Sequence, residues 1–135
     1  MLARAELVVI APAASEPMTI AEFDGAPTVG FPETDHIGRL FADACAQHGV
    51  TPAVTTCVQT FQIARELVAQ GGGLALVDPF TASLSSGAGI VARPLSPAIG
   101  LGVCALTVRG MAVGDSVAQM IDAFAGVAQR VVSTD

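Results

Sequence analysis

Lysine is absent from this sequence, and so is any basic stripe: Arg4, Arg39, Arg65, Arg93, Arg109 and Arg130 stand singly against twelve acids. Nothing in that arrangement neutralises a run of phosphates, which argues against direct nucleic-acid binding by this chain. No C-x-x-C pair occurs, and Cys45, Cys57 and Cys104 share no metal-ligand spacing with His36 and His48. The expectation is three reduced, mostly buried thiols, no metal site and a cytoplasmic setting. Nor does any apolar run approach the roughly 18 residues of a membrane-spanning helix. The longest, Ala98 to Val108, is broken by Gly100 and Gly102. The start, MLARAELVVIAPAAS, imitates a secretory signal, but Glu6 lies where positive charge is wanted and the apolar run is short. No membrane association is expected. Internal repeats and low-complexity linkers are missing too.

What is present is a core. At 135 residues, 52% apolar and 13% charged, the chain suits a single packed domain. Its organising stretch is Leu67 to Ala82, LVAQGGGLALVDPFTA, read as the end of an amphipathic helix, a glycine turn, a buried strand and a polar turn. Upstream, Leu7 to Ile10 and Pro27 to Phe31 read as strands, and Thr19 to Glu22 as a capping box over a one-turn helix. Thr34 or Asp35 caps a helix with Ile37, Leu40, Phe41, Ala44 and Cys45 on one face, closed by Gly49. Ala53 to Val58 is β-branched and strand-like. Thr60 caps the next helix, with Ile63, Ala64, Leu67 and Val68 inward, and Gly71 stops it. Downstream, Ile90 to Arg93 and Ile99 to Val108 read as strands. A last helix carries Val117, Met120, Ile121, Phe124, Ala128 and Val131 on one face, after a capping box at Ser116 to Gln119. Strand, helix, strand, helix, strand at these spacings predicts an α/β class with a parallel sheet. Leu7 to Ile10 and the last helix have no evident partners, as if belonging to a second lobe.

Gly71 to Gly73 resemble a phosphate loop in composition but not in polarity. Nucleotide loops run from strand to helix, so the helix N-terminus meets the phosphate, whereas these glycines run from helix to strand. They are read as a helix stop and turn, and no cofactor is expected. Asp35 with His36 offers half of a general-base pair, and Cys57 or Ser86 a nucleophile, but no G-x-S-x-G elbow or metal triad accompanies them. His36 reads as a solvent-facing helix start, and His48 as a partner of the terminal carbonyls. The more productive positions are the loops after the three strands, because α/β sheets bind ligands at strand carboxyl ends. These are Pro32, Glu33 and Thr34; Gln59 and Thr60; and Asp78, Pro79, Phe80 and Thr81. Exposed amides and hydroxyls there suit a carboxylate, Phe80 supplies an apolar wall, and the acids favour an ammonium group. The expected ligand is a small organic acid or an amino-acid-like molecule. Thr34, Thr60 and Thr81 are expected to donate to it.

RELVAQGGGLALVDPFTA resembles the leu-val-ala-x-gly-x-gly-(val/leu)-ala-(leu/ile)-val-(asp/asn)-pro run of the effector-binding domain of LysR-type transcriptional regulators. ELVVIAP is similar to that family's crossover strand, PTVGFPETDHIGRLFADACAQHGVTPAV to its second-lobe opening, and ARPLSPAIGLGVCAL to its return strand. The resemblance runs from Glu6 to Arg130. It implies a type 2 periplasmic-binding-protein-like fold in which residues 27–97 form the second lobe. Residues 1–26 and 98–135 would be crossover elements and a remnant of the first lobe. It also implies an effector-sensing, non-enzymatic role in a homo-oligomer that meets DNA only through a winged helix-turn-helix not found here. Without the first lobe's opening elements, Leu7 to Ile10 and the last helix are expected to lack cover. Two alternatives stand beside this reading: a stand-alone solute-binding protein of the same fold, marked by a working secretion signal, and a small enzyme using Asp35 and His36.

Overall fold

The first apolar run of the chain folds into the middle of a sheet. In the computed structural model, residues 1–12, 19–84 and 89–133 are described; Ser86 lies outside them. Strand β1 spans Ala3–Glu6 and β2 spans Val8–Pro12. After a 3-10 turn at Ile20–Phe23 come β3 (Pro27–Gly30), α1 (His36–Gln47), β4 (Ala53–Cys57), α2 (Phe61–Ala69) and β5 (Ala75–Val77). The chain closes with α3 (Pro79–Ser83), β6 (Ile90–Pro94), β7 (Gly100–Val103) and α4 (Asp115–Ser133).

Strand β2 lies between β5 and β6 and runs antiparallel to both, with Val8 opposite Val77 on one side and Pro94 on the other. The expectation of an orphan strand is therefore corrected. Val9 and Ile10 are 0% exposed, and Leu7 is also buried. Because side chains alternate along a strand, Val8 and Ile10 enter one core cluster, with Val29, Val68 and Val77, while Leu7 and Val9 enter another, with Phe23, Cys45 and Leu76. An aliphatic side chain moved from water into such a place contributes about 1.5–3 kcal/mol.

Strands β3 and β4 pair in parallel. They join the other strands through a parallel bridge between Thr28 and Leu74, where the Val29 N–H donates to the Leu74 carbonyl at 2.8 Å and the Leu74 N–H to the Pro27 carbonyl at 2.9 Å. The strand order is thus β6-β2-β5-β3-β4, a mixed sheet rather than a purely parallel one. The glycine turn makes that junction possible. Gly72 N–H donates to the Leu67 carbonyl at 2.8 Å, ending α2. Gly73 has φ +109°, and a Cβ there would collide with the Pro27 carbonyl, so only glycine lets β5 come alongside β3.

The caps follow their local sequence. Asp35 accepts from the Ile37 N–H at 2.8 Å and Thr60 from the Ile63 N–H at 3.2 Å. His48 Nδ1 pairs with the Ala44 carbonyl at 2.8 Å at the end of α1, and His36 is exposed at its start. Thr19 makes no side-chain cap, and α4 begins at Asp115, one residue before the expected box, leaving Ser116 within it. Other departures are tertiary. Ile63 is exposed rather than inward, and the edge strand β4 is exposed along its whole length. Regular pairing of the Ile99 to Val108 stretch is confined to Gly100–Val103, because β1, its partner, is only four residues long. Cys45 alone is buried; Cys57 and Cys104 are exposed, which corrects the expectation of mostly buried thiols.

Helix α4 packs on β1 and α3, and its Gln129 Nε2 donates to the Leu2 carbonyl at 3.2 Å. Ala128 is its buried contact. Val117, Met120, Phe124 and Val127 remain exposed, as expected of a helix without cover on that side. No helix among the described residues is long and apolar enough to cross a membrane.

Candidate functional site

The parallel strands β3, β4 and β5 end on one edge of the sheet. Continuing the registers Gly30 to Cys57 and Thr28 to Leu74 sets Pro32, Gln59 and Asp78 level with one another there. Strand β2 begins at the same edge, and just before it the Leu7 N–H donates to the Ile99 carbonyl at 2.9 Å, leading into the antiparallel ribbon of β1 and β7.

Between that ribbon and the sheet edge lies a cavity of about 780 Å³. Pro79, Ala82 and Ser83 of α3 form one wall, β1 with Leu7 and Val8 another, and Ala92, Arg93 and Pro94 of β6 a third; Gly100 and Val132 complete it. Its size falls within the range of small-molecule sites. The lining is mainly apolar, with Arg4, Glu6 and Arg93 among its residues; Arg4 and Glu6 are exposed to solvent and Arg93 is half-buried. Arg93 also donates from Nη1 to the Ala92 carbonyl at 3.1 Å.

Of the residues expected from sequence to form the site, the cavity takes Pro79 alone. Asp78 to Thr81, expected as a loop, opens α3 instead. Asp78 is 7% exposed, its Oδ2 accepts from the Thr81 N–H at 3.1 Å, and its Oδ1 is buried without a protein hydrogen-bond partner. Proline at the first position and the aspartate cap before it are what turn this stretch into a helix. Phe80 and Thr81 are half-buried on that helix, Pro32 is half-buried, and Glu33, Thr34, Gln59 and Thr60 are exposed at the same sheet edge. The edge is held firmly. Phe31 and Phe61 meet edge-to-face at 5.3 Å, and a Cβ at Gly38 would collide with the Pro32 carbonyl, so α1 sits directly against the loop after β3.

Sequence reasoning missed Arg4, Glu6, Ser83 and Arg93. Their signal was the pairing of β2 against β5, which carries β1 to the carboxyl edge, and no local pattern announces that pairing. Neither histidine lines this cavity, and no cluster of His, Cys, Asp and Glu able to hold a metal occurs among the described residues. Cys45, in the core, has its thiol pKa pushed up by burial, which keeps it in the unreactive form.

A mixed sheet with β2 returning antiparallel between β5 and β6, and a ligand-sized cavity at the strand ends against a crossover ribbon, defines a periplasmic-binding-protein-like type 2 fold. The chain belongs to the LysR substrate binding domain family, which matches residues 1–129. It is 29% identical over 128 residues to the HTH-type transcriptional regulator DgcR of Pseudoalteromonas sp, covering 91% of this chain and 43% of that protein. The regulatory domain of Synechocystis PCC6803 CcmR, solved in complex with 2-PG, superposes with a TM-score of 0.69 at 12% identity, over 93% of this chain and 64% of that one. The PA01 protein of Pseudomonas aeruginosa gives 0.68 at 13% identity, over 94% and 47%. The chain thus spans less than half the length of DgcR.

Proposed function

We propose that this chain is the effector-sensing part of a LysR-type transcriptional regulator and that it binds a small organic acid or amino-acid-like molecule without transforming it. The observation that carries this reading is the cavity between the β1–β7 ribbon and the carboxyl edge of the sheet. Residues 27–97 are taken as one lobe and residues 1–26 and 98–135 as crossover and other-lobe elements, so the cavity lies where the two sets meet. A ligand there shifts the lobe arrangement only by binding one arrangement better than another, and this difference is the regulatory signal. DNA contacts belong to a domain outside this stretch, and the setting is cytoplasmic.

Pro79 would wall the ligand directly. Pro32, Glu33, Thr34, Gln59, Thr60, Asp78, Phe80 and Thr81 serve the same edge, with Phe80 packing on the ligand and Thr34, Thr60 and Thr81 donating. The Thr60 hydroxyl is compatible with this, because as a cap it accepts a hydrogen bond and keeps its own proton to donate. Self-association is part of the reading: Val117, Met120, Phe124 and Val127 repeat at three- and four-residue spacing on an exposed stripe, a pattern that seeks another apolar surface.

Thermal-shift measurement of the chain against a panel of organic and amino acids, repeated with Ser83→Trp at the exposed rim of the cavity, tests the proposal. At least one compound should stabilise the chain, and the tryptophan should abolish that stabilisation. An unchanged ligand shift in Ser83→Trp would place binding elsewhere and overturn the site. Loss of Thr60 and Thr81 hydroxyls without effect on the response would remove those two donors from it.

A further inference from the structure

The cavity divides into an apolar floor and a charged mouth. Leu7, Val8, Pro79, Ala82, Pro94 and Val132 line it, and none of them brings a polar side-chain atom. Arg93 stands level with Val9. Its side chain therefore turns to the Val9 face of the sheet, whereas the cavity lies on the face that Val8 shares with Ala82. Arg4 and Glu6 border the cavity and are exposed, which sets them at its mouth. They fall on the same face of β1, and no ion pair joins them among the described residues. Their main chain bears on the same space. Among the described residues β1 has a partner strand, β7, on one edge only. Because the Leu7 N–H donates to Ile99 on that edge, alternation turns the N–H and C=O groups of Arg4 and Glu6 to the open one.

We infer that the ligand is an α-amino acid with a large apolar side chain. Its carboxylate accepts from the Arg4 guanidinium and from an N–H of the open strand edge. Its ammonium group donates to the Glu6 carboxylate and to a carbonyl of that edge, and its side chain lies on the apolar floor. One positive and one negative group, unmatched to each other, are the complement of a zwitterionic head. The cavity's volume of about 780 Å³ decides the side chain, because a molecule as small as alanine leaves most of the walls without contact. An acidic side chain would carry a second charge onto a floor with no side chain to pair it. Arg4 and Glu6 are screened by water at the mouth, so the apolar body supplies most of the affinity and the charges supply the orientation. This inference rests on the cavity being the effector site.

Isothermal titration calorimetry of the full chain tests it with leucine and phenylalanine, each as both enantiomers, and with alanine, glutamate, 3-phenylpropionate and phenethylamine as comparison ligands. Leucine or phenylalanine should bind about 10- to 100-fold more tightly than alanine, as burial of the larger apolar body dictates. Phenylalanine should exceed 3-phenylpropionate, which lacks the ammonium group, and phenethylamine, which lacks the carboxylate, by at least about 5-fold each. Arg4→Gln should narrow the gap to phenethylamine about 2- to 5-fold, and Glu6→Gln the gap to 3-phenylpropionate by as much. Neither variant should change the ratio of phenylalanine to alanine, whereas a purely structural role would move every ligand alike. Melting temperatures of the unliganded variants show whether each is folded. If alanine or glutamate binds more tightly than leucine and phenylalanine, and Ser83→Trp abolishes that binding, the cavity stands and the ligand class falls. If 3-phenylpropionate or phenethylamine binds as tightly as phenylalanine, the zwitterionic head falls and the inference with it. If none of the compounds binds the folded wild-type chain, both the site and the ligand class fall.

Discussion

Strand β2 and helix α4 both present apolar surface in sequence and have opposite fates. Val9 and Ile10 are 0% exposed, whereas Met120 is 58% and Phe124 59% exposed. Strand β2 is a continuous apolar run and α4 carries an apolar stripe at helical spacing, each the pattern of an element that seeks cover. Strand β2 finds strands on both edges and core on both faces; α4 meets β1 and α3 on one side, where Ala128 is buried, and leaves its other apolar residues in water. The difference teaches that an apolar pattern reports the demand for a neighbour, and that only the assembled fold supplies one.

The sharpest break of this comparison is a truncation in β2 set against one in α4. Ile10→Ala should cost about 2–5 kcal/mol in urea denaturation, the loss of a buried aliphatic side chain plus its cavity. A loss below ~1 kcal/mol would mean that β2 is not the centre of the core. Next in size is Gly73→Ala, which forces a side chain into positive φ against the Pro27 carbonyl. We expect it to cost about 2 kcal/mol or more and to loosen the β5–β3 junction, visible as faster amide exchange at Val29 and Leu74. Gly71→Ala, at φ +89° with nothing nearby, should cost less, from backbone strain alone.

Helix α4 is tested by Phe124→Ser, which should change monomer stability by less than about 0.5 kcal/mol because the ring is largely in water. It should instead lower the mass seen by light scattering, and unchanged association would clear α4 of that role. The mildest test concerns the thiols. Cys57 and Cys104 should react with a thiol reagent in the native protein, whereas Cys45 should react only on unfolding. Burial holds the Cys45 thiol above its ordinary pKa, so the stability it contributes is complete below that value. It is lost as pH rises further, because the unfolded thiol ionises first.

Legibility from sequence followed the range of the interaction. Asp35 and Thr60 were readable as caps and His48 as a helix-end partner, since each acts on backbone within four residues of itself. The family was readable because the Gly71 to Pro79 run encodes a helix stop, a close strand approach and a helix start in one short stretch. The site was less so. Its sheet edge followed from strand direction, and Pro79 followed with it. The cavity's charged residues did not, because Arg4, Glu6 and Arg93 look like isolated surface charges until β1 and β6 are brought to the strand ends.

By itself, then, the sequence determined the α/β class, most helix starts and stops, the glycine turn and the family, all of which depend on side chains acting on nearby backbone. Tertiary structure alone decided that β2 runs antiparallel between β5 and β6, that Asp78 becomes a buried cap, and that Arg4, Glu6 and Arg93 come to line one cavity. Strand pairing joins residues far apart along the chain through hydrogen bonds that any side chain permits, so its choice of partner leaves no local mark.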